Sequence, residues 1–314
     1  MKLSELATDY VILKQSLGMR FRTEAVILNA FCRAMGNIDV AQVSPAAVQI
    51  YLAGTGQITA FWHRKYEALS GFYRHAISRG HTSFSPLPTT IPKRPPAFRP
   101  YIYSHDEYSR LVEMVHILDK SQRCHVQPPT FRTLLLLLYG TGLRISEALS
   151  LTLSDVDLSD NLLTIRDTKF FKTRWVPIGL QLSNRLVVYA KARRQLPRPA
   201  RNDSIFFATR HGYPLPRSTA ERIFRLLCEQ AGVCRTDGAR YQPRLHDIRH
   251  TFALNRLISW YREGSDVQSL LPCLSTYLEH VDVTATQRYL SMTPELLHEA
   301  SMRFHRYAID GGHS

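Results

Sequence analysis

The chain is predicted to be mainly α-helical and built in two parts. Three observations predict this. Apolar residues recur at helical spacing along most of the sequence, and only two short segments have strand composition. A proline-dense stretch over residues 84–100 separates a first helical part from a longer second one. The 314 residues suffice for two domains and a sizeable core.

The first part, residues 1–83, reads as helices. Leu3 to Leu17 carries apolar positions at helical spacing, and Thr23 to Met35 continues with Ala25, Val26, Leu28, Phe31 and Cys32. Ser44-Pro45 predicts an N-cap followed by proline in the first turn. A fourth helix over Thr59 to Ser78 has a broad apolar side of Phe61, Trp62, Tyr66, Leu69, Phe72 and Tyr73, closed by Gly80. Residues 84–103 predict a semi-extended linker, because Pro86, Pro88, Pro92, Pro95, Pro96 and Pro100 exclude helix and central strand. Its Lys93, Arg94 and Arg99 suit either a strap across a phosphate backbone or a plain solvated face.

The second part spans 104–314. Ser104-His105-Asp106-Glu107 predicts a capping box. Thr130 to Tyr139 is a strongly apolar helix, broken by Gly140 and Gly142, and Leu143 to Leu151 begins another. Asn161 to Arg166 and Arg174 to Ile178 read as two strands, with Lys169 to Lys172 at the hairpin tip. Helices are expected again at Leu182 to Arg194, Ser218 to Ala231, Asp247 to Arg262 and Thr293 to Tyr307, with a basic loop over Arg193 to Arg201.

Charge narrows the function. Lys and Arg number 40 against 26 Asp and Glu, a net +14. That excess favours a polyanionic partner, since each neutralised phosphate releases a counterion; a merely basic surface is the alternative. Five scattered cysteines (Cys32, Cys124, Cys228, Cys234 and Cys273) do not read as a disulfide framework, and Cys228 and Cys234 are poorly spaced for zinc. They are expected to be reduced thiols in the cytoplasm. No stretch approaches a membrane span, and no signal-peptide core is visible.

Six residues supply a chemistry: Arg144, Lys169, His246, Arg249, His280 and Tyr289. Guanidinium groups bind two phosphate oxygens at once. Histidine and lysine move protons near neutral pH, and a phenol can attack phosphorus. His246 and Arg249, three apart at a helix start, can share one face. Each alone has an ordinary explanation as a surface cation, a capping histidine or a packed tyrosine. Lys172 competes with Lys169 as the hairpin acid. Tyr277, in the apolar run Leu274 to Leu278, reads as structural.

Order and spacing change that weighing. The box Thr141-Gly142-Leu143-Arg144-Ile145-Ser146-Glu147-Ala148-Leu149-Ser150-Leu151, then Lys169, then His246-Asp247-Ile248-Arg249-His250-Thr251-Phe252-Ala253, then His280 with Tyr289 nine positions on, resembles the tyrosine recombinase (phage integrase) family over roughly residues 104 to 305. Departures are Glu279 for the usual Gly, Arg244 where Pro is common, and Phe170-Phe171 after the hairpin lysine. Ser275 to His280 and Thr286 to Leu290 look most like the transposon-encoded branch.

The resemblance implies a two-domain C-shaped DNA clamp. An N-terminal helical bundle would bind core DNA, and a mostly helical catalytic domain with a small antiparallel sheet would carry a C-terminal tail helix. It implies a site-specific recombinase that cleaves and rejoins double-stranded DNA through a 3′-phosphotyrosyl link. Tyr289 would be the nucleophile, and Arg144, Arg249 and His280 would stabilise charge. Lys169 would be the acid and His246 the base. No metal or other cofactor is implied. A homotetramer on two DNA sites, with or without sister recombinases, is implied as well. The alternatives are an Xer-type dimer-resolving enzyme, a type IB topoisomerase, or a non-cleaving DNA-binding accessory protein of the same fold.

Overall fold

The computed structural model describes residues 1–56, 58–95, 99–120, 124–166, 173–198, 200–239 and 241–279, with 298, 301 and 302. The chain divides into two compact units, Met1–Phe98 and Arg99–Ser314.

In the first unit four helices surround one core: α1 (Leu3–Ser16), α2 (Arg22–Met35), α3 (Pro45–Ala53) and α4 (Ala60–Ser78). Ser44 caps α3 by accepting from the Ala47 amide, and Thr59 caps α4 by accepting from the Phe61 amide. Trp62, Leu69, Phe72, Tyr73 and Ala76 of α4 are buried against Leu3, Leu6, Leu28 and Phe31. Phe61 departs from the sequence reading. It lies on the solvent side of α4, 51% exposed, beneath the Lys65 ammonium. The described residues of the proline-rich stretch are neither helix nor strand, and its first half lies on this unit. Leu87 packs against the core, the Tyr66 hydroxyl donates to the Pro88 carbonyl (3.3 Å), and Arg94 pairs with Glu67 (2.5 Å).

The second unit begins with α5 (His105–Met114), whose Ser104–Glu107 capping box forms as expected. The central element is α6 (Pro128–Thr141), which packs against α8 (Leu180–Arg194) and α10 (Asp247–Arg262). Phe131, Leu134, Leu135, Leu137 and Leu138 are buried there. Each contributes about 1.5–3 kcal/mol by leaving water. The short α7 (Ile145–Ser150) follows α6 after a tight turn, and α9 (Arg217–Gln230) lies between α8 and α10 in the chain.

The sheet has three antiparallel strands in the order β1 (Val156–Asp157), β2 (Leu162–Ile165) and β3 (Arg174–Pro177). Leu163 faces Val176 and Ile165 faces Arg174 across the β2–β3 ladder. Leu163, Ile165 and Val176 are buried, while Trp175 points outward. The arms of the expected hairpin are present; Lys169 and Lys172 lie outside the described residues.

Among the described α-helices and strands, two escaped the sequence reading. β1 has only two residues, too short to show a period. The helix α11 (Val267–Tyr277) contains Pro272, which argues against helix, yet Asp266 caps it by accepting from the Gln268 and Ser269 amides. Its Val267, Leu271, Leu274 and the following Leu278 bury against Phe252, Leu254 and Leu257 of α10. Apolar burial outweighs the lost backbone bond. Of the expected tail helix, residues 298, 301 and 302 are described, and they are helical.

Candidate active site

The site is assembled around the turn between α6 and α7. Gly142 ends α6 in the left-handed region at φ 63°, where a side chain is disfavoured. A Cβ there would lie 2.3 Å from Phe252 of α10. This close approach brings the backbone before Arg144 against α10, which carries Arg249. Arg249 is 3% exposed; it donates from Nη1 to the Gly142 carbonyl (2.8 Å) and from Nη2 to the Leu278 carbonyl.

Arg144, at the N-cap of α7, donates from Nη2 to the same Leu278 carbonyl (3.3 Å) and to the Glu279 carbonyl (3.0 Å). From Nη1 it reaches the carboxylates of Glu147 (2.5 Å) and Glu279 (2.8 Å). Two guanidinium groups 105 positions apart in sequence thus meet at one carbonyl oxygen. Burial opposes the charge on Arg144, but Glu147 and then Glu279 outweigh it and raise its pKa.

Glu147 is buried (8% exposed). Its Oε2 accepts from the Arg144 amide (3.0 Å) and from Arg174 Nη2 (2.8 Å). Burial works to raise its pKa; the Arg174 charge and the Arg144 hydrogen bonds prevail and hold it below the usual carboxylate range. Glu147 stood in the sequence box without an assigned role, and Arg174 was passed over as a strand residue. A charged side chain paired across the sheet with buried Ile165 was the available signal.

His246 precedes α10, one residue before buried Asp247, and lines a cavity of about 750 Å³ with Arg144, Arg217, Arg225 and Arg244. Burial lowers its pKa to about 4, helped by Arg249, Arg244, Arg144 and Arg217. The ring is therefore neutral at pH 7 and able to accept a proton. Arg244 is held by Asp247, at 3.0 Å. Tyr277 donates to the Thr141 carbonyl (2.8 Å) and stacks on Phe252, and burial pushes its pKa to about 12. A phenol so engaged is a packing residue, as expected.

The structure therefore brings Arg144, His246 and Arg249 together. Lys169, His280 and Tyr289 lie outside the described residues. All five cysteines are free thiols. Among the described residues no His, Cys, Asp or Glu cluster is placed to hold a metal ion, and no helix is long and apolar enough to cross a membrane.

Comparison with known proteins decides the family. Residues 103–295 match the phage integrase family. The chain belongs to that family, the tyrosine recombinases. It is 33% identical over 300 residues to the integrase/recombinase y4rB of Sinorhizobium fredii, covering 95% of each chain. To tyrosine recombinase XerC of Bacillus subtilis it is 29% identical over 249 residues, covering 78% of this chain and 75% of that one. In fold it is similar to the Tn1549 transposon integrase in complex with transposon right end DNA (TM-score 0.69, 14% identity, 98% and 100% coverage). It is likewise similar to a lambda integrase dimer bound to a core site (TM-score 0.66, 18% identity, 94% and 97% coverage). This family member is a DNA recombinase enzyme.

Proposed function

We propose that this recombinase cuts and rejoins DNA with Tyr289 as nucleophile and serves a mobile element. Arg144 and Arg249 would each bind non-bridging oxygens of the scissile phosphate, with His280 as a further donor. Neutral His246 would take the phenol proton as the Tyr289 oxygen bonds to phosphorus. The bond from phosphorus to the 5′ oxygen breaks, and Lys169 protonates the leaving oxygen. A 3′-phosphotyrosyl link and a free 5′-hydroxyl result. Attack by a 5′-hydroxyl of the partner strand reverses these steps and releases Tyr289. The arginines supply the positive charge, so no metal is needed for the step. The observation that carries this reading is the meeting of Arg144 and Arg249 at the Leu278 carbonyl beside a histidine that is neutral at pH 7.

The finer reading extends this to a division of labour between the units and to an assembly. The helical unit over residues 1–83 would hold core DNA, residues 84–103 would link it, and residues 104–314 would catalyse. The active form would be a homotetramer on two sites, joined where needed by sister recombinases, with the tail helix docking on a neighbour. Action on DNA supports a cytoplasmic location for it. The transposon integrase among the fold neighbours favours a mobile element. The XerC relative favours resolution of chromosome dimers as the second reading.

The test is covalent trapping on a nicked suicide duplex. Wild type should trap DNA even in excess EDTA, and Tyr289→Phe should bind DNA without trapping. Undiminished trapping by Tyr289→Phe removes that residue from its role, and strict dependence on divalent metal overturns the arginine scheme. Inverted repeats or sister recombinase genes flanking the gene would decide between the mobile-element and chromosomal roles.

A further inference from the structure

Arg144, Glu147, Arg174 and Glu279 form a closed ring of alternating charge. Arg144 reaches Glu147 at 2.5 Å and Glu279 at 2.8 Å; Arg174 reaches Glu147 at 2.8 Å and Glu279 at 2.7 Å. The ring sums to zero charge. The two carboxylates therefore oppose the pull of Arg144 on a phosphodiester while all four groups stay in place.

The two carboxylates are not equivalent. Glu147 is fixed, because it also accepts from the Arg144 amide and caps α7. Among the described residues the Glu279 carboxylate is held by the two arginines, and its contact with Arg174 Nη1 has no aligned hydrogen bond. Its backbone sits at φ 49°, in the left-handed region that suits glycine. Glu279 gives one carboxylate oxygen to Arg144 and the other to Arg174, and a phosphate oxygen can make the same charge-assisted contact with Arg144. Arg144 spends Nη1 on the two carboxylates and Nη2 on the Leu278 and Glu279 carbonyls.

We propose that the Glu279 carboxylate occupies the seat of the scissile phosphate on Arg144 and must leave before DNA can be cleaved. Glu279 is then a residue that gates phosphate binding: the resting site is self-neutralised, and it gains positive charge only when the carboxylate swings away. Glu147 and Arg174 stay behind and keep Arg144 aimed. The proposal rests on the phosphoryl-transfer reading of the site.

The experiment compares full-length wild type with Glu279→Gln, which keeps the shape and removes the charge, and with Glu279→Gly, which also suits the backbone. Three quantities are measured: single-turnover trapping on the suicide duplex, inhibition of trapping by inorganic phosphate, and the rise in melting temperature caused by inorganic phosphate. Both variants should trap DNA about tenfold faster at subsaturating duplex, as expected when one charge-assisted contact no longer competes. They should be inhibited at about tenfold lower phosphate and be stabilised more by it. Trapping that is unchanged or slower in both variants, with no gain in phosphate stabilisation, overturns the proposal and makes Glu279 a strut for Arg144. If no protein traps DNA, the strand-transfer reading fails, while the phosphate-induced shift still reports on Glu279.

Discussion

Gly142→Ala tests the link between backbone geometry and chemistry. Gly142 adopts φ 63°, and alanine in that region costs about 1–2 kcal/mol. The added methyl would lie 2.3 Å from Phe252 Cδ1, 2.9 Å from Cγ and 3.0 Å from Cε1, so the ring must move. Displacing a packed ring costs about 1–3 kcal/mol more. The sum is roughly 2–5 kcal/mol, which for a unit of this size lowers the melting temperature by roughly 4–20 °C. The ring stacks on Tyr277, which is bonded to Thr141, and the Gly142 carbonyl holds Arg249. Trapping should therefore fall even at temperatures where the variant is folded. The assay is urea or thermal denaturation, run alone and in a Phe252→Leu background. With the ring gone, only the backbone part should persist, giving a coupling of about 1–3 kcal/mol between the two sites. A Gly142→Ala cost below about 0.5 kcal/mol, or a coupling near zero, would refute the reasoning.

Tyr277→Phe should lose about 1 kcal/mol, the net worth of its hydrogen bond to Thr141, and keep trapping. Loss of trapping in this variant would show that the wrong tyrosine has been set aside. Glu147→Ala strips Arg144 and Arg174 of their shared buried partner and should cost about 3 kcal/mol in chemical denaturation, along with most activity. His246 has a folded pKa of about 4, below the usual 6.5. The unfolded chain therefore binds the extra proton first, and this contribution to stability is complete above 6.5 and lost as pH falls toward 4. His246→Gln should flatten the pH dependence of stability across that window, and an unchanged slope would contradict a buried neutral ring.

Much of the fold was legible because helical periodicity and caps are local. The Ser44 and Ser104 caps formed where the residue types placed them. Phe61 was misjudged, since spacing marks a broad face but not which edge of it the neighbours cover. α11 was missed because Pro272 is a local penalty and the burial that overrides it is not local. At the site, Arg144, His246 and Arg249 were recognisable from residue type and order, while the part played by Arg174 was not.

Sequence alone determined which chemical groups the chain owns, where most helices begin, and the family to which it belongs. Tertiary structure alone decided that Arg144 and Arg249 share one carbonyl, that Glu147 and Glu279 tie Arg144 to a strand residue, and that His246 sits among arginines. The division has a physical cause. Periods and caps act within a few residues, whereas charge pairing and desolvation depend on distances that folding sets between positions far apart in the chain.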